Sequence, residues 1–151
     1  MLHFNEDTRV KFPATIQFLR LGYHYQSLKD AQIDFNTKIF VNRFKSAIEK
    51  INNLKLTNDE VFSLIEEIHS LMKYNDLGKE LYKRLTSTEH AIKLIDFDNI
   101  SNNDFAVVDE LPFSIKEHTE EGSFRPDINI LVNVIVYVVN YMTNISFYNL
   151  F

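Results

Sequence analysis

The 151-residue sequence contains no cysteine and no tryptophan, and it has only three glycines and three prolines. Without cysteine, the chain can form no disulfide, no thiolate nucleophile and no cysteine-based zinc site. Glycine occurs only at positions 22, 78 and 122, so neither GxGxxG nor a P-loop can be written and no ATP site is expected. The five histidines are scattered without metal-ligand spacing. Carboxylates therefore remain as the candidate catalytic groups.

Long hydrophobic runs are also missing. The longest, residues 128–142, is interrupted by three asparagines and is shorter than the roughly 18–20 apolar residues that a membrane span needs. The first nine residues carry three charged side chains and no apolar segment, so they do not resemble a signal peptide. The formal charge of −5 argues against a domain that holds nucleic acid through a basic surface alone. We expect a soluble, cytoplasmic protein with no membrane partner.

Helical patterns occupy the first two-thirds of the chain. A helix is predicted to begin near Phe12 and to end before Gly22, and residues 23–27 are typical of a short strand. Residues 37–52 carry an apolar stripe at helical spacing. Thr57 and Glu60 form a capping box that opens the clearest helix, which runs to residue 72. A shorter helix is predicted over residues 76–85, interrupted by Gly78.

Strand patterns follow. Residues 90–97, 105–113, 124–131 and 134–141 alternate or are continuously apolar, and turn signals separate them. This order predicts an α+β fold, with a mostly antiparallel or mixed central sheet flanked by helices. No internal repeat or linker is present, so residues 1–151 are expected to form a single domain.

Two acidic pairs lie at predicted strand ends. Asp96 and Asp98 would point to the same face of a strand and could bind Mg²⁺. We favour the alternative that they form a solvated strand end entering the turn at Asn99. Asp109 and Glu110 have the same two interpretations.

Asp127 is different because it opens a strand with a buried pattern, residues 128–132. An acid at that position could hold a metal ion beside a phosphate, and a purely structural role remains equally open. Around Asp127 the sequence becomes recognisable. Residues 6–11 leading to 21–23, 76–78 with 82–86, 93–99, 107–113 and 124–133 resemble the amino-terminal domain of type I restriction enzyme R subunits, which belongs to the PD-(D/E)xK nuclease superfamily.

The resemblance implies a restriction-endonuclease-like α/β core and Mg²⁺-dependent cleavage of double-stranded DNA, within a complex with methyltransferase and specificity subunits. It implies that Asp127 is the metal-binding acid and that Glu6, with Asp7 as the close alternative, is the assisting acid from the first helix. In the family a Glu-x-Lys motif on the next strand completes the site: the Glu binds metal, and the Lys orients or helps to deprotonate the attacking water.

The sequence departs from the family after Asn133. Without gaps the Glu and Lys positions fall on Tyr141 and Thr143, and one residue earlier on Asn140 and Met142, none of which can replace them. No Asp, Glu, Lys or Arg follows Asp127. We therefore expect a truncated or frameshifted remnant without cleavage activity of its own, and a looser or shifted pairing of the last two strands, because the turn lacks glycine.

A second hypothesis is a non-catalytic module that docks on the methyltransferase partner or regulates an intact R subunit. Its contact surface would be the helical part, residues 57–72 and 76–85.

Overall fold

The computed structural model describes residues 10–114 and 123–140. Within these residues there are four α-helices, which are α1 (Phe12–Arg20), α2 (Val41–Asn52), α3 (Asn58–Met72) and α4 (Lys79–Thr86). There are also six strands, numbered in chain order, which are β1 (His24–Tyr25), β2 (Phe105–Asp109), β3 (Phe113–Ser114), β4 (Ser123–Phe124), β5 (Ile128–Val132) and β6 (Ile135–Asn140). No helix in this part of the chain is both long and apolar enough to cross a membrane.

The main sheet has the strand order β1-β2-β5-β6, and β3 pairs with β4 in a separate two-stranded ribbon. β1 runs parallel to β2, whereas β2, β5 and β6 form antiparallel pairs. The mixed sheet and the preceding helices confirm the α+β prediction.

Helices cover both faces of this sheet. Side chains of α2 and α3, such as Phe44 and Ile65, share one buried core with Val108 and Leu131 of the sheet. α1 lies on the other face, because strand alternation turns Asp109 away from Val108 and its carboxylate accepts a hydrogen bond from Thr15. The ends of β2 and β5 therefore lie between the helices.

α3 matches its prediction. Thr57 Oγ1 accepts a hydrogen bond from the Glu60 amide, and the Glu60 carboxylate accepts one from the Thr57 amide, which together form the capping box. α1 also begins at Phe12 as predicted, and Gly22 beyond its end has a φ of 93°. Local capping chemistry was therefore sufficient to place these two helix ends.

Two helix starts were predicted too early. α2 begins at Val41 rather than at residue 37, because the Asp34 carboxylate accepts hydrogen bonds from the Thr37 amide and hydroxyl, both at 2.7 Å, and holds a turn there. α4 begins at Lys79 rather than at residue 76. Gly78 does not interrupt α4 but precedes it in a left-handed conformation, with φ of 80°.

The strand predicted over residues 90–97 was wrong. Bends and irregular backbone occupy this segment, although Leu94 and Ile95 are buried. The Asp96 carboxylate accepts hydrogen bonds from the amides of Asp98 and Asn99, at 3.1 and 3.0 Å. These local bonds satisfy the backbone in place of a neighbouring strand, and the apolar alternation reflects core contact alone.

The short strand predicted over residues 23–27 is present as β1, and three of the four strands predicted after the helices are present with altered bounds. The segment 105–113 splits because Glu110, at φ 55°, ends β2 at Asp109. The segment 124–131 splits into the end of β4 and β5 at Arg125-Pro126. The segment 134–141 contains β6, and position 141 lies outside the described residues.

The β5–β6 hairpin closes with a two-residue turn at Asn133 and Val134, which both have positive φ, 48° and 69°. Asparagine tolerates this conformation better than other non-glycine residues do, whereas a β-branched valine there is an outlier. The pairing of the two strands shifts register between Ile130 and Leu131. An irregular register is one of the two outcomes expected from the missing glycine.

Candidate functional site

Asp127 lies at an edge of the main sheet where three strands meet. It directly precedes β5 and is half-buried. Its carbonyl oxygen accepts a hydrogen bond from the Glu110 amide at 3.4 Å, which ties it to the end of β2. Ile128 pairs with Asn140, so the carboxyl end of β6 arrives at the same edge. The predicted position of Asp127 at the mouth of a buried strand is therefore confirmed, while its catalytic role stays a prediction.

Asp109, at the end of β2, lies in the middle of a polar cluster. Its carboxylate accepts hydrogen bonds from the Thr15 hydroxyl at 3.3 Å and from the Tyr25 hydroxyl. Burial raises the pKa of Asp109, and the neighbouring Lys11 and these hydrogen bonds oppose the rise without cancelling it. Burial, followed by the charge of Asp109, raises the pKa of Tyr25. The cluster therefore binds α1 and β1 to the end of β2.

Glu110 forms the second contact between α1 and this edge. Lys11 Nζ lies 2.5 Å from Glu110 Oε1, and this hydrogen-bonded ion pair lowers the pKa of Glu110. Glu110 is half-exposed, whereas only 16% of the Lys11 side chain is exposed. Each of the two neighbouring acids thus has its own partner in α1 or directly before it.

A cleft of about 430 Å³ opens beside this cluster. It is lined by the residue that precedes α1, by β1 and the segment after it, by the end of β2 and the segment after it, and by the segment before β5. The lining residues are Lys11, Tyr25, Ser27, Leu28, Lys29, Asp109, Glu110, Pro112 and Arg125. Three cations and two acids therefore line this opening, and one of the acids, Glu110, is bonded through its backbone to Asp127.

The other residues expected at the metal site lie outside the described part of the chain. These are Glu6 and Asp7 before α1, and positions 141 to 143 after β6. Among residues 10–114 and 123–140, no group of three or more His, Asp or Glu side chains is arranged to hold a metal ion. The carboxylate of Asp127 is of the type that Mg²⁺ prefers, but β6 offers only Asn140 as a polar amide and no carboxylate. The described residues therefore fit a metal ion only in part.

Asp96 and Asp98 do not form a paired-carboxylate site. Asp96 is 6% exposed and accepts a further hydrogen bond from the side-chain Nδ2 of Asn102 at 2.9 Å, and these hydrogen bonds lower its pKa. Asp98 instead pairs with Lys93 at 3.0 Å. The contacts support a structural role for this pair, but the expected solvated strand end was wrong, because residues 90–97 form no strand and Asp96 is buried.

Sequence reasoning singled out Asp109 and Glu110 but missed the side chains that hold them. Thr15 and Lys11 contact these acids across 94 and 99 positions of the chain. A lysine and a threonine four residues apart on a helix give no signal of such a contact. The only available signal was the pair of adjacent acids at the end of a strand.

Most of the sequence is similar to known proteins. Residues 3–139 match the family model described as the type I restriction enzyme R protein N terminus. A protein of Methanocaldococcus jannaschii, described as a putative type I restriction enzyme MjaIXP endonuclease subunit, is 29% identical over 150 residues. The alignment covers 85% of this chain and 14% of that relative, so the chain spans about one-seventh of the relative's length. Because the family model covers most of the sequence, the chain belongs to the family of type I restriction enzyme R protein amino-terminal domains.

Proposed function

We propose that this is the endonuclease domain of a type I restriction R subunit, of the PD-(D/E)xK type, whose ancestral reaction is Mg²⁺-dependent cleavage of double-stranded DNA. We further propose that this chain does not catalyse the cleavage. One observation carries both parts of the proposal. Asp127 lies where β2, β5 and β6 meet, and the strand that should bring a carboxylate and an amine to it, β6, contains neither.

The chemistry explains why the missing groups matter. A bound Mg²⁺ would polarise the phosphate and lower the pKa of the attacking water. Asp127 can supply one carboxylate toward such an ion, with Glu6 as the candidate second acid. Tyr141 and Thr143, at the ungapped Glu and Lys positions, supply no carboxylate and no cationic amine. Asp109 and Glu110 are bound to Thr15 and Lys11, and they do not replace the missing pair.

A plasmid-nicking assay with Mg²⁺ or Mn²⁺ tests the proposal that this chain does not catalyse cleavage. We expect no cleavage by the unaltered chain. Turnover that disappears in Asp127→Ala would contradict the proposal, because it would require Asp127 to work without the Glu-x-Lys pair.

Restoring the Glu and Lys of the family's Glu-x-Lys motif tests the proposal that Asp127 belongs to an ancestral metal-binding nuclease site. The double variant Tyr141→Glu, Thr143→Lys should bind Mn²⁺ in isothermal titration more tightly than the unaltered chain does. Adding Asp127→Asn to this variant serves as the matched control and should abolish the gain. Equal Mn²⁺ affinity in all three proteins would refute the assignment of Asp127 as a metal ligand.

A second candidate function is docking on the methyltransferase of a restriction complex. Between α3 and α4, Leu77 is 86% exposed and has a φ of 57°, and Tyr74 nearby is 60% exposed. An exposed leucine in a left-handed conformation gains neither burial nor backbone stability within the domain, which favours a role in contact with a partner. Leu77→Gly should then weaken co-purification with the methyltransferase and specificity subunits. Unchanged co-purification would count against this second function.

A further inference from the structure

The cleft beside Asp127 has an excess of positive charge in an otherwise acidic chain. Three cations line it, Lys11, Lys29 and Arg125, against two acids, Asp109 and Glu110. With every group charged, the sum is three positive and two negative charges, or +1, whereas the whole chain carries −5. The cleft therefore differs in sign from the chain's average charge.

The two acids already have partners within the domain. Glu110 binds Lys11 at 2.5 Å, and Asp109 accepts hydrogen bonds from Thr15 and Tyr25. Burial also raises the pKa of Asp109. Both acids therefore already have a partner within the domain, and the charge of Arg125 adds to that of Lys11 in lowering the pKa of Glu110.

Lys29 and Arg125 differ from Lys11, which forms an ion pair with Glu110. Both are exposed, and neither forms an ion pair within the described ranges. They project from two segments that are far apart in sequence, the turn after β1 and the approach to β5, and both segments line one cleft. Tyr25 adds a half-exposed ring and a hydroxyl to the same wall.

We propose that Lys29 and Arg125 form a binding site for a backbone phosphate of nucleic acid, adjacent to the Asp127 edge and separate from the metal ligands. The choice of a DNA duplex as the ligand rests on the proposed function. An arginine and a lysine that line one cleft can contact phosphate oxygens without reading base sequence. Such a site holds duplex DNA beside Asp127 even in a chain that does not cleave it.

The test is equilibrium binding of a fluorescein-labelled 20-base-pair duplex in EDTA, by fluorescence anisotropy between about 50 and 200 mM salt. Each phosphate contact contributes a slope of about −0.9 to log K against log salt. Two contacts contribute about −1.8, which is about a twelvefold loss of affinity over this fourfold range. Lys29→Ala, Arg125→Ala should therefore remove about 1.8 from the slope.

Lys50→Ala, Lys79→Ala is the matched control, because it removes two exposed lysines outside the cleft and changes the net charge equally. We expect its slope to equal that of the unaltered chain. Deoxyadenosine monophosphate at millimolar concentration should compete poorly with the duplex if the ligand is a polymer backbone. Efficient competition by the mononucleotide would identify a free-phosphate site instead and overturn the choice of DNA.

The phosphate site is refuted if the cleft variant and the control bind the duplex with the same slope and affinity, or if the unaltered chain does not bind the duplex at 50 mM salt. Because EDTA removes divalent metal, these outcomes are independent of the Mn²⁺ titration above. Loss of the phosphate site and loss of the metal assignment can therefore be distinguished.

Discussion

The hydrogen bonds of Asn133 lead to the sharpest stability prediction. Its side chain is fully buried, donates to the Leu94 carbonyl and to Asn103 Oδ1, both at 2.8 Å, and accepts from the Asp104 amide at 2.7 Å. Asn133→Ala leaves the Leu94 carbonyl and the Asp104 amide without this partner. Each buried unsatisfied group costs about 1–3 kcal/mol, so the free energy of unfolding should fall by about 2–6 kcal/mol.

Far-UV circular dichroism during urea unfolding is the suitable assay, because the chain has no tryptophan. Asn53→Ala is the matched control. Asn53 has a similar φ of 51° but is exposed, and its side chain forms no hydrogen bond within the described part of the chain. Alanine there should cost only about 1 kcal/mol of left-handed strain. If Asn133→Ala costs no more than Asn53→Ala, the hydrogen bonds of Asn133 do not stabilise the hairpin as argued.

Three further predictions concern other parts of the fold. Leu77→Gly should raise the free energy of unfolding by about 1 kcal/mol, since glycine relieves the left-handed strain at an exposed site; Leu77→Ala, measured in the same urea titration, should give no such gain. Thr57→Ala should lower the free energy of unfolding by about 1 kcal/mol through loss of the capping box, whereas Ser63→Ala, at an exposed position in the middle of the same helix, should not lower it. Asp109→Asn should change the pH dependence. Burial raises the folded-state pKa of Asp109, so the folded protein binds that proton more tightly than the unfolded chain and loses stability as pH rises through the raised value. The free energy of unfolding of the variant, relative to that of the unaltered chain, should therefore rise as pH increases from about 3 to 7. A constant difference across this range would contradict a raised pKa of Asp109 in the folded protein.

Local patterns predicted the helices better than they predicted the strands. The capping box at Thr57 depends on residues three apart, and its helix was predicted correctly. The start of α2 depended on a turn held by Asp34, whose side chain competes with the helix for the Thr37 amide. Residues 90–97 alternate as a strand does, but whether such a segment pairs depends on a neighbour that the pattern does not contain.

The candidate site was predicted in position and missed in its surroundings. Asp127 could be placed from Arg125-Pro126 and the apolar run after it, because both signals are local. Its proximity to Glu110 depends on the antiparallel pairing of β2 with β5, which connects residues about twenty positions apart. The contacts of Lys11 and Thr15 with the two acids connect residues that are still farther apart along the chain, and they have no sequence signature.

The sequence by itself determined the capping box of α3, the order of helices before strands, the family resemblance and the absence of a carboxylate or amine after Asp127. All of these depend on the identity of residues or on spacings of a few positions. Only the tertiary structure decided which acids have partners, because burial and hydrogen bonding of Asp109 arise from α1 and β1 together. It also decided that Lys29 and Arg125 share one cleft, since folding brings together segments nearly a hundred residues apart.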